Sequence, residues 1–555
     1  MLNIFSFFDK VKPATDPLTN RKTVTRWLAE LPKTDAAATH ADILNALIRL
    51  RNKDSDYNPD SLEVLMALDE YALDLQNTLC QQYLRNTRMS TKIEAKLWQA
   101  IYAYYSEMSL GYNSHITVLV TDPSLTKLQQ HLPTITLRAL HHLGNLFKWR
   151  FFHYEQPDEK LWRMLHKLYQ VASSRGYESQ NIPMYNEVPT RCVSQYVRAL
   201  LLTQIHPSAL PAKQIEIADT WLQQWVSLVK LDKHPVFSQH HFYVDTTQPA
   251  GAMPVIDQSY PADFLCWDAS MLLGQLRRTK DELQASQAPA NSPINIADYM
   301  KTLDYLELQW DPINLGKLRK SPRVPVKKIL NVIHGFNKIC SVVKDTEEDT
   351  DHIQEYDADI KYAEMVDIQL YGFVTEATRN RQHQNLPQPG TADVSCENWG
   401  VEDESLEGYR THIPSSKNDW LRLSRLVAVK NQEEKSWRLA AVRRLFRAPS
   451  AGTHAGMEII AQKPLVLMLH TAGTANLPQL SLAEDANAIN ADLPIPVLMT
   501  TAITNGQFNL IIDGAQYTGN RTFKVTMGNE THLVKLAHVL EKGDTWLHVQ
   551  AIITY

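Results

Sequence analysis

Leu318-Arg319-Lys320-Ser321-Pro322-Arg323-Val324-Pro325-Val326 divides the chain, because the residues before it carry helical periodicity and those after it carry strand patterning. Arg319 and Arg323 stand four residues apart, with Pro322 between them and an apolar segment beginning at Val324. A guanidinium is planar, always charged and forked, so two of them on an extended arm can each stack on a flat base and clamp a phosphate. The pair alone is expected about once by chance in a chain of this length. A second motif downstream supplies the discrimination.

That motif is Asp403-Glu404-Ser405-Leu406-Glu407-Gly408, set just after Trp399 and just before a series of strand-like segments. The carboxylate of Asp403 is an acceptor-only group, able to take hydrogen bonds from the N–H edge of a ligand. Ser405 supplies a hydroxyl, and Gly408 permits a tight turn that lets backbone approach a ligand. The two motifs, in this order and with a barrel pattern behind them, resemble the PilZ family, whose members bind cyclic-di-GMP. The resemblance covers roughly residues 315 to 475 and places the family's Arg-x-x-x-Arg on Arg319 and Arg323, and its Asp-x-Ser-x-x-Gly on Asp403, Ser405 and Gly408. It implies a ligand set of Arg319, Lys320, Arg323, Asp403, Ser405 and Gly408, with cyclic-di-GMP as ligand and no metal or other cofactor. The segment between the motifs is longer than the family usually carries.

At 555 residues the chain exceeds what one core supports, so several domains are expected. A net charge of -5 argues against general nucleic-acid binding, which needs a basic face to displace counterions. Cys80, Cys192, Cys266, Cys340 and Cys396 are scattered without a Cys-x-x-Cys pair, which suggests buried thiols in a reducing compartment rather than zinc or disulfides. The opening apolar stretch lacks a basic region and a cleavage site, and no stretch approaches the ~20 apolar residues of a membrane span. A cytoplasmic location with no membrane insertion is expected.

Along the chain, Thr91-Lys-Ile-Glu94 has the spacing of a capping box before an apolar stripe of Leu97, Trp98, Ile101, Tyr104 and Tyr105. Pro157-Asp158-Glu159 opens another helix with Gly176 as its C-terminal stop. Residues 1–232 are expected to form a helical-hairpin array, and 233–314 a mixed extended and helical segment completing it. Residues 315–475 are expected as a PilZ-like antiparallel barrel, with Val324 to Val343 a strand or a hairpin broken at Gly335. The acidic run from Asp345 to Asp359 reads as part of an insertion over 344–395. Residues 490–555 read as a C-terminal β region, either a second barrel or an extension of the first sheet.

Other chemistry is weaker. His141-His142 and His240-His241 lack the spacing of a helical zinc motif. Gly514 to Thr522 has P-loop glycine spacing with Asn520 where the lysine belongs. No nucleophile elbow or kinase signature is present, so a binding protein rather than an enzyme is expected. The arm, with only Pro322 as an apolar residue between its arginines, is expected to order on the ligand and to reorient the helical half toward a protein partner. The rival expectation is a helical scaffold whose barrel has lost its ligand.

Overall fold

The computed structural model describes residues 16–554 except 33, 53–58, 87–88, 123, 186–188, 235, 237–238, 256–263, 286–295, 315–321, 346–395, 414–419, 432–433, 449–451, 472–493, 520 and 528–529. Two compact units divide at Lys320/Ser321, the first helical and the second built of strands. Among the described residues, no helix is long and apolar enough to cross a membrane.

The helical unit runs through α1 (Arg21–Glu30), α2 (Ala36–Asn52), α3 (Pro59–Arg85), α4 (Thr91–Thr121), the short α5 (Thr126–Gln129), α6 (Leu132–Phe152), α7 (Glu159–Ser174), α8 (Cys192–Gln204) and α9 (Ala212–Trp225). Sequential helices pack in pairs, α2 on α3, α3 on α4, α6 on α7 and α8 on α9. At the centre, α6 touches α4, α7, α8 and α9 and is buried on nearly every side. It therefore lacks the polar stripe of a surface helix. Asp158 caps α7 by accepting from the Leu161 N–H at 3.0 Å, and Gly176 follows the helix with φ +74, the left-handed geometry glycine adopts without strain. At α4 the expected capping box does not form. Thr91 is already helical and Ser90 is the N-cap, without a side-chain cap bond.

A three-stranded antiparallel sheet follows, β1 (Phe242–Asp245) between β2 (Met253–Pro254) and β3 (Phe264–Trp267), and then α10 (Ser270–Ala285) and α11 (Ile296–Trp310).

Two buried carboxylates organise the helical core. Asp69 on α3 accepts from the hydroxyls of Tyr104 (3.0 Å), Tyr112 (2.8 Å) and Tyr185 (2.9 Å), and His142 lies 3.0 Å from it. Asp219 on α9 takes Arg198 through both oxygens (2.6 and 2.7 Å) and Lys148 at 2.9 Å. Burial would raise both carboxyls, but His142 and Arg138 hold Asp69, and Arg198 and Lys148 hold Asp219, well below the usual carboxylate range. Losing one partner of such a group would leave an uncompensated buried charge, which costs about 3–5 kcal/mol.

The second unit opens with β4 (Val324–His334). Over Val324 to Val343, where a strand or a hairpin broken at Gly335 was expected, the strand stops at His334 and a helix, α12, follows over 336–345. Gly335 makes that change of direction with φ +93, and its carbonyl accepts from the Ile339 N–H at 3.0 Å. Next come β5 (Glu397–Ser405), β6 (Gly408–Ile413), β7 (Leu426–Asn431), β8 (Arg438–Ala448) and β9 (Gly452–Ala461). They close a barrel in the order β4-β5-β6-β9-β8-β7, antiparallel throughout. Along β7 all of Leu426 to Val429 is buried, because alternate residues turn into the barrel and outward beneath other parts of the unit.

The strand expected over Pro464 to His470 forms, but not in this barrel. As β10 (Leu465–Thr471) it joins β11 (Ile495–Met499), β12 (Gln507–Asp513), β13 (Thr522–Met527), β14 (Glu530–Lys542) and β15 (Trp546–Thr554) in a second closed barrel, β10-β11-β12-β15-β14-β13. Both barrels run first-second-third-sixth-fifth-fourth by order along the chain, so one topology occurs twice. A shared core joins them: Ile333, Ile339, Leu426, Ala428, Leu439 and Ala441 cluster with Leu498, Ile511 and Trp546. The Trp546 indole donates to the Ser424 carbonyl at 2.8 Å, and Arg425 meets Asp544 at 3.2 Å. The acidic run beyond Asp345, which ends α12, and the arm residues Arg319 and Lys320 lie outside the described residues.

Two outcomes follow from this packing. Trp546→Ala removes a side chain only 1% exposed and its indole hydrogen bond, so the strand unit should lose about 3–5 kcal/mol in chemical denaturation. In the helical unit, burial pushes His115 down to about 4 and burial with His142 and Arg198 pushes His141 down to about 3. Both are neutral when folded and take up a proton on unfolding below the ordinary histidine value of 6.5, so stability falls as pH falls from 6.5. The two aspartates add their loss only below about pH 4, where the unfolded carboxyls protonate. Urea midpoints should therefore drop between pH 7 and pH 5, with each histidine contributing up to about 1.4 kcal/mol per pH unit; a flat profile would show that these rings are not neutral in the fold.

Candidate functional site

Strand pairing assembles the site. Antiparallel pairing of β4 with β5 sets Val324 opposite Glu404 and Pro325 opposite Asp403. Arg323, the residue before β4, thereby reaches a carboxylate eighty positions along the chain, and its Nη1 donates to Asp403 Oδ1 at 2.5 Å. The side chains are 31% and 19% exposed, so neither is freely open; each partly covers the other. A half-exposed pair of this kind contributes about 0–1 kcal/mol, little enough for an incoming ligand to displace.

Ser405 ends β5 and Gly408 begins β6, opposite each other across a two-residue turn of Leu406 and Glu407. The Ser405 hydroxyl points back across the turn to the Gly408 carbonyl at a long 3.5 Å, so it is lightly held. Gly408 has a different role from the turn conformer expected. A Cβ there would fall 2.0 Å from the Met457 carbonyl oxygen and 3.3 Å from the Glu458 Cα, because β9 runs directly alongside. Only glycine fits, for reasons of space. Arg323, Asp403, Ser405 and Gly408 thus gather at one rim of the first barrel, while Arg319 and Lys320 lie outside the described residues.

Three neighbours carried no sequence signal. Arg410 stands opposite Asp403 on β6 and pairs with Glu402 at 2.8 Å, and Lys328 on β4 pairs with Glu404 at 2.7 Å. Leu406 at the hairpin tip is 85% exposed, an apolar side chain presented beside the polar motif. The cations fall on strands where alternating charge is the ordinary solvated pattern, so only register brings them to this rim. Beta-bulges between Pro325 and Lys328 and between Val401 and Asp403 re-aim the strands here.

The hairpin is also tied to the second barrel. The Glu407 carbonyl accepts from the Ile459 N–H at 2.8 Å, and Glu458, opposite Gly408, receives Arg443 at 2.7 Å. The same guanidinium donates to Glu541 of β14, at 2.9 Å through Nη2. Arg443 therefore holds one carboxylate from each barrel.

A six-stranded barrel with this rim, joined to a helical unit, defines a PilZ-domain protein. The comparisons agree by region: residues 22–235 match the family model described as the N-terminal domain of the cyclic-di-GMP receptor FimW, and residues 336–464 match that of its middle PilZ domain. The chain belongs to this PilZ-domain family. It is similar to the cyclic-di-GMP receptor FimW of Pseudomonas aeruginosa, 22% identical over 482 residues, covering 79% of this chain and 77% of the relative. Asp403, Ser405 and Gly408 fall inside the second matched span; Arg323 and β4 precede it.

Gly408→Ala should force β6 from β9, because the added methyl meets backbone rather than a movable side chain. We expect a loss of about 1–3 kcal/mol in the strand unit, the usual cost of overpacking, read by urea denaturation. Wild-type stability in the variant would show that β9 can shift aside.

Proposed function

We propose that the chain is a cytoplasmic cyclic-di-GMP receptor that binds its ligand at the rim of the first barrel and signals to a protein partner. One observation carries this reading: Arg323 and Asp403, far apart in sequence, stand in direct contact beside the Ser405–Gly408 hairpin. In the proposed complex Arg319 and Arg323 neutralise the phosphates and stack on the guanine faces, with Lys320 adding charge. Asp403, released from Arg323, accepts from the guanine N–H edge, Ser405 donates its hydroxyl, and Gly408 keeps the rim free of side chains. Exchange of a weak internal ion pair for several charge-assisted bonds gives the net gain.

The finer part of the proposal concerns output. Residues 315–321 connect the last described turn of the helical unit to β4, so a ligand held by Arg319 and Arg323 ties down the link between the units. Ordering such a link costs about 1–2 kcal/mol per residue in backbone entropy, offset only while the ligand's contacts are made. The link then acts as a ligand-dependent switch whose output is a changed orientation of the helical unit. The named function of the Pseudomonas aeruginosa relative supports the ligand assignment.

Titration of the purified chain by calorimetry tests the ligand. Arg323→Ala and Asp403→Ala should each weaken cyclic-di-GMP binding by about tenfold or more, since a hydrogen bond to a charged group contributes about 1.5–3 kcal/mol. Stability should change little, because the pair they break is partly exposed. Cyclic-di-AMP should bind far more weakly than cyclic-di-GMP, as its base leaves the carboxylate unpaired. Equal affinity for the two dinucleotides would remove Asp403 from its assigned role, and no binding of either would leave the helical-scaffold reading.

A further inference from the structure

Between α3, α4, α6 and α9 the helical unit encloses a cavity of about 210 Å³. Its wall includes the carboxamides of Gln76, Asn77, Gln81, Asn145 and Gln223 and the rings of Tyr104, Tyr105, Trp149 and Tyr185. A single structural water needs only about 10–15 Å³, whereas pockets for drug-sized ligands begin near 300 Å³. The space suits a molecule between those limits. A helical core without a ligand would fill it with leucine and alanine.

The wall is held in place from both sides. Asp69 fixes Tyr104, Tyr185 and His142 by the contacts described above. Asp219 fixes Lys148 and Arg198, and Arg198 Nη2 in turn donates to Asn145 Oδ1 at 2.8 Å. Asn145 Nδ2 then meets His141 Nε2 at 3.0 Å. Gln76 is oriented by donating to the Ile101 carbonyl at 3.2 Å and by His40 at 2.8 Å. Such buried ionic supports are costly for stability alone, and their placement behind a polar wall is the arrangement that preorganises a binding site.

The charges around the cavity determine what fits. Lys148 is matched by Asp219 and Glu216 (2.8 Å), Arg198 by Asp219, and Arg138 by Asp69 and Glu70. Every cation already has its carboxylate. A charged ligand would add an unpaired buried charge, which the site has nothing to offset. With Gln76, Asn145 and Gln223 engaged by the protein, the carboxamides of Asn77 and Gln81 present donor and acceptor side by side and can read the hydrogen-bonding edge of an uncharged heterocycle, and aromatic walls suit a flat ring. Entry has a route: Asn77 and Gln81 are exposed, and both also line an open surface groove of about 870 Å³ along α3 toward Ile93 and Leu97.

We propose that this cavity is a second ligand site, in the helical unit, for an uncharged nucleobase or nucleoside. It is independent of the barrel rim. The test uses the full-length chain, with adenine, guanine, uracil and their nucleosides as probes and L-glutamate, succinate and inorganic phosphate as charged contrasts, read by thermal shift and calorimetry. At least one base or nucleoside should raise the Tm, and the charged molecules should not. Gln81→Phe, at the exposed mouth, should weaken that binding by about tenfold or more with the ligand-free Tm unchanged; Asn77→Phe serves in its place if Gln81→Phe lowers the ligand-free Tm. The proposal is overturned if no base or nucleoside shifts the Tm at millimolar concentration, if a charged contrast does so instead, or if the mouth variant folds and binds as the wild type does. The variants also separate this site from the rim, where a guanine bound by Asp403 would be indifferent to a change on α3.

Discussion

Antiparallel pairing of β4 with β5 is the constraint on which the candidate site depends. It closes the first barrel and, in the same register, carries Arg323 to Asp403. Between the strands lie α12 and the acidic segment, sixty-odd residues by count from Gly335 to Cys396. Loop-closure entropy grows only logarithmically, with about 0.6 kcal/mol for each doubling of length, so so long an insertion weakens the pairing little. The ladder of backbone hydrogen bonds and the buried Leu330, Val332, Trp399 and Val401 hold the register whatever the insertion does. A slip of one residue would turn every one of those side chains outward and separate the two halves of the site.

The helical unit is stabilised by a different balance. Its central helix, α6, carries Arg138, His142 and Lys148 among apolar residues, all of them buried. Each reaches a carboxylate on a neighbouring helix: Arg138 and His142 reach Asp69 on α3, and Lys148 reaches Asp219 on α9. Hydrophobic contact alone would tolerate several rotations of a helix that is apolar on every side. The ion pairs select one, which is the registry role best supported for buried polar groups.

The same features explain what could be read in the sequence. Asp158 and Gly176 bounded α7 correctly because capping is local chemistry, settled within a few residues. The β-rich second half was legible from alternating and β-branched runs. Its partition was not: β10 has the same pattern as the strands before it, and only long-range pairing with β11 and β13 assigns it to the second barrel. Likewise, the apolar run past Gly335 suits strand or helix equally, and packing of Ile339 and Val343 against Leu426 and Trp546 decided for helix. At the rim, Asp403, Ser405 and Gly408 were visible as a string, but the space that demands glycine at 408 belongs to β9, fifty positions away by count. Arg410 and Lys328 were invisible for the same reason.

The two barrels separate fold from binding chemistry. They share one strand order, yet the segments that carry the rim residues differ in kind. Before β4 stand Arg319, Lys320 and Arg323; before β10 stand Gln462, Lys463 and Pro464. Where the second strand turns into the third, the first barrel has Asp403 to Gly408, from the end of β5 to the start of β6, whereas the second has Thr500-Thr-Ala-Ile-Thr-Asn-Gly506, without a carboxylate. That second connection meets only the demands of a turn, with Asn505 at φ 51 and Gly506 at φ 72. Gly408 aside, which the β9 backbone requires, the barrel core needs neither set of residues, since the strands close in the same order with both. The polar side chains at such a rim are therefore free to change at little cost to the fold, and the proposed ligand assignment rests on the rim residues of the first barrel rather than on the barrel itself.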